Sequence, residues 1–266
     1  MCIRDRNWDK FSAMEKIKTC YMGLVRNDLL EFYEGKVRLI NSNGDLEAEF
    51  DEGSYMDCIQ ERTYRWTYAK FAYFKKFGWP KGITQVGPTA RMNVSRRIST
   101  EMANEELKEF KRRFGSPVHA TLLFDYARLI DLLYACERAQ QLLEDGGITK
   151  TDVRVKVKPK AGEGVGIVEA PRGTLAHRYV LTRTGKLRDI KMMIPTQVNN
   201  AAINMSVKAA ASRFIRNGEI KPGLLNGVEM LIRAYDPCIK CATRSINDRI
   251  TIEIKDEEGK TIKVFG

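Results

Sequence analysis

The chain has 266 residues, one large domain or two ordinary ones by length, and enough to bury a core without disulfide staples. A hydrophobic fraction of 43% beside 30% charged residues excludes disordered and collagen-like classes. Forty-five Lys and Arg against 34 Asp and Glu leave a net charge of +11, which suits an acidic partner, either nucleic acid or an acidic protein face. No stretch is long and apolar enough for a membrane helix, and the first 20 residues carry no signal-peptide core, so a cytoplasmic protein without a membrane span is expected.

The opening MCIRDR runs without turn or cap into an amphipathic pattern from Phe11 to Tyr33, which predicts a helix there and suggests that residues 1–31 are a truncated or artefactual start. GKVRLI and DLEAEF alternate around Asn41-Ser42-Asn43-Gly44 and predict a hairpin. The run TYRWTYAKFAYFKKFGWP sets eight aromatics among basic residues. Such a run can stack single-stranded nucleic acid, but packing beneath a loop is the simpler reading. STEMANEEL, with Ser99 or Thr100 ahead of acidic residues, starts a helix that runs to about Phe114.

Pro117 opens the next helical stretch, which lasts to Asp145 and stops at Gly146-Gly147. Leu122, Tyr126, Leu129, Leu132, Leu133, Cys136 and Leu143 form its apolar stripe, so Cys136 reads as a packed thiol. VRVKVKPK alternates as a strand with Val153, Val155 and Val157 facing inward. GEGVG lacks the spacing of a dinucleotide fingerprint. Two strands follow around Thr184-Gly185, then helices over Asn199 to Asn217 and Leu224 to Ala234. Tyr235-Asp236-Pro237 ends the last helix, and a terminal hairpin is predicted around Asp256-Glu257-Glu258-Gly259.

Six cysteines are too few for a disulfide scaffold, and only Cys238 and Cys241 are spaced as a pair. Cys-x-x-Cys aims two sulfurs at one metal or forms a redox disulfide. A redox pair of the thioredoxin kind would open a helix, whereas this one follows a helix end. A four-ligand metal site would need two further donors, and both histidines, His119 and His177, are remote in sequence.

RAYDPCIKCATR at 233–244 resembles the carboxy-terminal cysteine motif of nickel-iron hydrogenase large subunits. EAPRGTLAHRY at 169–179, IPTQVNNAAIN at 194–204 and VGPTARMN at 86–93 resemble that family's other signatures, in its order. The resemblance covers nearly the whole chain from about Phe32. It is strongest to the cytoplasmic group that includes the deazaflavin-reducing and heterodisulfide-reductase-linked enzymes of archaea. It implies an α+β fold, mainly helical, with long core helices and small peripheral hairpins. Residues 32–244 would be the carboxy-terminal part of the large-subunit domain, and residues 245–266 a removable extension.

The same resemblance implies chemistry at named positions. Cys238 would be a terminal nickel thiolate and Cys241 a bridge between nickel and iron. Arg172 would stand over the open side of the cluster and orient dihydrogen or pass a proton, with Asp236 holding it. Pro171 and Thr196 would face cyanide and carbonyl ligands on the iron. An iron-sulfur small subunit, a soluble electron-acceptor subunit, nickel-insertion proteins and a maturation endopeptidase would be partners. The family's amino-terminal Cys-x-x-Cys and its proton-relay glutamate have no counterpart here, and Thr89 and Met92 stand where leucines are common. Arg244 replaces the family's final histidine, where a magnesium contact is implied. Two rivals are the quinone-site subunit of respiratory complex I, which lacks the metal cysteines, and a basic nucleic-acid-binding protein.

Overall fold

A computed structural model describes residues 7–215, 222–243, 252–256 and 258–265. Its first long element is a strand. The apolar run from Cys20 to Val25 lies buried along its whole length, so β1 (Cys20–Arg26) sits inside a sheet instead of forming one face of the helix predicted over Phe11 to Tyr33. A short apolar run buried on both sides has no period by which to tell strand from helix. Helix α1 is confined to Trp8–Ala13, and Asn27 and Asp28, both at positive φ, turn the chain into β2 (Leu29–Leu30).

β1 pairs antiparallel with β2 and with β3 (Lys36–Ile40), and parallel with β7 (Thr84–Gln85); β4 (Leu46–Phe50) closes the sheet on β3. The β3–β4 hairpin is the one predicted. Its turn is fixed by Asn41, whose Oδ1 accepts the amides of Asn43 at 2.8 Å and Asp45 at 3.0 Å. After a helical turn, α2 (Tyr55–Cys58), the aromatic stretch forms the β5 (Ile59–Tyr64) and β6 (Thr67–Phe74) hairpin. Phe71 and Phe74 are buried and Tyr64, Phe71 and Trp79 meet edge to face, while Trp66 and Tyr68 stay exposed.

α3 (Pro88–Val94) is buried at every residue, and α4 (Glu101–Phe114) matches its predicted span. Thr100 makes no side-chain cap. The carboxylate of Glu137 on α5 accepts the amides of Met102 and Ala103, each at 2.9 Å. α5 (Phe124–Glu144) starts seven residues after Pro117 and turns a different face inward: Ala127, Ile130, Asp131 and Tyr134 are buried. Leu129, Leu132 and Leu143 of the predicted stripe are exposed, and so is Cys136, which corrects the packed-thiol reading. Val153, Val155 and Val157 are all more than 80% exposed and form no strand. Alternation makes a strand only where a neighbour takes up its hydrogen bonds.

Three antiparallel strands follow, β8 (Gly162–Ala170), β9 (Gly173–Leu181) and β10 (Leu187–Met193), in the order β10-β9-β8. α6 (Pro195–Phe214) begins four residues earlier than predicted because Pro195 suits the first helical turn. α7 (Pro222–Ala234), α8 (Ile239–Thr243) and the hairpin β11 (Ile252–Lys255) with β12 (Thr261–Phe265) complete the described chain. Helix, at about 42%, exceeds strand, at about 30%, in this α+β fold. One core packs Met22, Leu39, Tyr55 and Val198 around the β1 sheet; a second packs α4 on α5; a third packs α6 on α7 through Ile203, Leu231 and Tyr235. Among the described residues no helix is long and apolar enough to cross a membrane.

Candidate metal centre

Four sequence motifs far apart in the chain meet at one place. β8 and β9 close at Ala170 and Gly173, which leaves Pro171 and Arg172 as the two residues of the turn. Gly173 has φ +131° and Gly87 has φ +103°, conformations open to glycine. A Cβ on Gly173 would lie 2.6 Å from the Gly87 nitrogen, and one on Gly87 would lie 2.8 Å from the Arg172 oxygen. The two glycines thus let the arginine turn rest against the start of α3. Asn199 on α6 pairs with the Val86 backbone in both directions, Oδ1 accepting from its amide at 2.9 Å and Nδ2 donating to its carbonyl at 3.1 Å.

The end of α7 brings the fourth motif in. Tyr235 is buried against Phe124, ring centroids 4.7 Å apart, and its hydroxyl meets Ser206 Oγ at 2.9 Å. Asp236 then takes φ +49°, a strained value for a residue with a side chain, and turns the chain toward Cys238. Arg172 reaches this turn: Nε donates to the Asp236 carbonyl oxygen at 2.6 Å and lies 3.1 Å from its Oδ2. Both side chains are more than 40% exposed, so the pair contributes little to stability, on the order of 0–1 kcal/mol. Its location has to be explained by something other than folding.

Thr196, buried in the first turn of α6, accepts the Cys238 amide on its hydroxyl oxygen at 3.1 Å. Cys238 is half-buried and Cys241 exposed; the two are joined as a disulfide with Cα atoms 5.3 Å apart. Once reduced, two thiolates this close can address one metal. Arg172, Asp236, Pro171, Thr196, Cys238 and Cys241 therefore form one contiguous group. Arg244 lies outside the described residues. Among those described, no group of three or more His, Cys, Asp or Glu could hold a metal. The soft donors present fit nickel and, once reduced, would supply two ligands to it.

Reading the sequence alone missed what stands behind this group. Arg91 and Glu169 lie within two of the motifs, and Asp131 interrupts an apolar run in α5; the structure joins all three in the interior. Burial pushes the Asp131 and Glu169 carboxyl groups up despite the nearby arginine. Burial also works against the Arg91 charge, but the two carboxylates outweigh it and its pKa is raised. The available signals were Arg91, the lone charge of α3, and Asp131, set within the apolar run from Leu129 to Cys136 of α5.

A family model described as nickel-dependent hydrogenase matches residues 5–244. The chain is 43% identical over 252 residues to a vhc F420-non-reducing hydrogenase polypeptide of Methanococcus voltae, covering 92% of this chain and 53% of that one. It is 35% identical over 259 residues to the NAD-reducing hydrogenase HoxS subunit beta of Cupriavidus necator, covering 96% and 53%. Its fold superimposes on a crystal structure of an NAD+-reducing NiFe-hydrogenase in the H2-reduced state with a TM-score of 0.84 and 32% identity, covering 91% of this chain and 54% of that one. The chain spans about half the length of the curated relatives it matches. With a family match over nearly all of its length and the motifs of that match gathered at one paired-cysteine loop, the chain belongs to the nickel-dependent hydrogenase family.

Proposed function

We propose that the protein to which this chain belongs interconverts dihydrogen with protons and electrons at a nickel-iron centre, with Cys238 and Cys241 as two of its thiolate ligands. The observation that carries this reading is the Arg172–Asp236 pair, exposed and worth little to folding, placed beside the cysteine loop by a strained backbone turn. When bound, the centre would supply the Lewis acidity and the electron acceptance by which dihydrogen becomes two protons and two electrons. Arg172 supplies the charge and nitrogens that orient the small molecule or pass the proton. Asp236 holds the guanidinium through its carboxylate and its backbone carbonyl. Thr196 fixes the Cys238 amide with its oxygen and keeps its hydroxyl proton to donate to a cyanide on the iron. Pro171 presents an exposed ring beside Arg172 for packing against the iron's cyanide and carbonyl ligands.

The electrons pass to an iron-sulfur small subunit, then to a soluble acceptor subunit in the cytoplasm, a reading supported by relatives named for NAD reduction and F420-non-reducing hydrogenase. Nickel-insertion proteins load the site and an endopeptidase removes residues 245–266; the family match ends at residue 244, which supports that boundary. Magnesium belongs to the same proposal, though not with Arg244 as its ligand, since a guanidinium has no lone pair to offer a cation. Neither the quinone-site subunit nor a nucleic-acid-binding protein gains support from the relatives. The test is Arg172→Lys in the complete enzyme. Turnover of dihydrogen should fall about 100-fold or more with nickel content unchanged, because lysine keeps the charge but loses the planar fork. Turnover near the parental rate would remove Arg172 from the mechanism.

A further inference from the structure

Arg91 lies inside the protein with its side chain 1% exposed, an expensive place for a permanent charge, and all three guanidinium nitrogens are engaged. Nε meets Glu169 Oε2 at 2.8 Å, and Nη1 meets Asp131 Oδ2 at 2.5 Å. Nη2 donates to two backbone carbonyl oxygens, those of Ala170 and, at 3.3 Å, Pro171. These are the two peptide groups that lead directly into Arg172. Glu169 grips the same turn from its other side: Oε1 accepts the Thr174 hydroxyl at 2.5 Å and the Leu24 amide at 3.1 Å. One buried cluster therefore ties down the residues flanking the turn, 169 and 174, and the carbonyls within it. An apolar trio of similar volume could match such a cluster for stability. It could not hold two carbonyl oxygens.

We propose that Arg91, clamped between Asp131 and Glu169, is a positioning residue that sets the Pro171–Arg172 turn and so determines where the Arg172 guanidinium stands beside the cysteine loop. The inference rests on the role proposed for Arg172, and its test has one arm that does not. In the assembled enzyme, hydrogen exchange is followed by mass spectrometry for the peptide 168–175 and for a reference peptide in the β5–β6 hairpin, 59–74. Arg91→Lys keeps the charge but cannot span the carboxylates and carbonyls together; Thr174→Val removes the hydroxyl on Glu169 while leaving Arg91 in place.

Both variants should exchange about tenfold faster at 168–175, as expected for one lost hydrogen bond, with the reference peptide within about twofold of the parent. Unchanged exchange at 168–175, or an equal rise in both peptides, overturns the proposal, since a merely stabilising cluster would loosen everything together. Should Arg91→Lys fail to fold, Asp131→Asn, which keeps the shape but weakens the clamp on Arg91 Nη1 from outside the measured peptide, decides by the same exchange criterion. The second arm is turnover: Arg91→Lys should lower it about tenfold in the parent and have no further effect once Arg172 is alanine, as for residues acting as a unit. A full additional loss in the Arg172→Ala background overturns action through Arg172. If Arg172 proves dispensable for turnover, the role proposed for it fails while the exchange arm still judges Arg91.

Discussion

Lys111 shows what burial does to a single charge in this protein. Its ammonium donates to the Ser95 carbonyl oxygen at 2.5 Å at the end of α3, and burial, reinforced by the Arg96 charge, pulls its pKa down to about 8. A lysine whose folded pKa lies below its unfolded value near 10.5 binds fewer protons when folded. Its contribution to stability therefore rises as pH climbs from about 8 toward 10.5. Between pH 7.5 and 9.5 the parent should gain about 1–2 kcal/mol relative to Lys111→Met. Urea denaturation of both chains at the two pH values measures this, and a parent-minus-variant difference that stays constant or falls between them would mean that Lys111 is not held as described. Arg172 and Asp236 contrast with Lys111: half in solvent, they cost and contribute little, which leaves them free to serve the site.

Among the elements, the contact between the β8–β9 turn and the start of α3 is the one that assembles the site. It exists because two backbones approach without side chains between them. Gly173→Ala would force a Cβ to within 2.6 Å of the Gly87 nitrogen at φ +131°, so both sterics and backbone conformation oppose it. A loss of about 2–4 kcal/mol in unfolding free energy is expected. Gly115→Ala provides the comparison, since its φ of +88° is also unfavourable but no atom lies within 4 Å of the added Cβ; it should lose less. Equal losses at the two positions would show that the close approach carries no energy of its own. α6 contributes to the same junction from its first turn, where Thr196 and Asn199 anchor the Cys238 loop and the Val86 backbone.

For the whole molecule, the terminal hairpin stands apart from this junction. Its described side chains are mostly exposed, and residues 244–250 that lead to it are outside those described. Ser245 to Gly266 hold 4 basic and 5 acidic residues, a net of −1, so removing them would raise the chain's charge from +11 to +12. Under the proposed maturation, a strand pair that begins 11 positions beyond Cys241 would hold that cysteine outward, and its release would let the loop close on the metals. The mature, nickel-loaded subunit should therefore end at Arg244. Intact mass of the active enzyme checks this; a polypeptide retaining residues through Gly266 would end the closure mechanism.

The candidate site residues were legible because each sits in a short motif whose order along the chain survives in one dimension: Cys238 and Cys241 by spacing, Arg172, Asp236, Pro171 and Thr196 by the resemblance of their surroundings. The β3–β4 hairpin, α4 and the terminal hairpin were legible for a local reason, since turn chemistry, caps and periodicity act over a few residues. What the sequence by itself determined was thus the family, the candidate site residues and the elements shaped by near neighbours. Tertiary structure decided the rest. β1 became a strand because β3 and β7 pair with it, the valines at 153–157 remained unpaired because no described strand lies beside them, and α5 turned Asp131 inward because Arg91 waits there. Each of these outcomes depends on a partner tens of residues away, and hydrogen bonds and buried charges satisfied at that distance leave no trace in local periodicity.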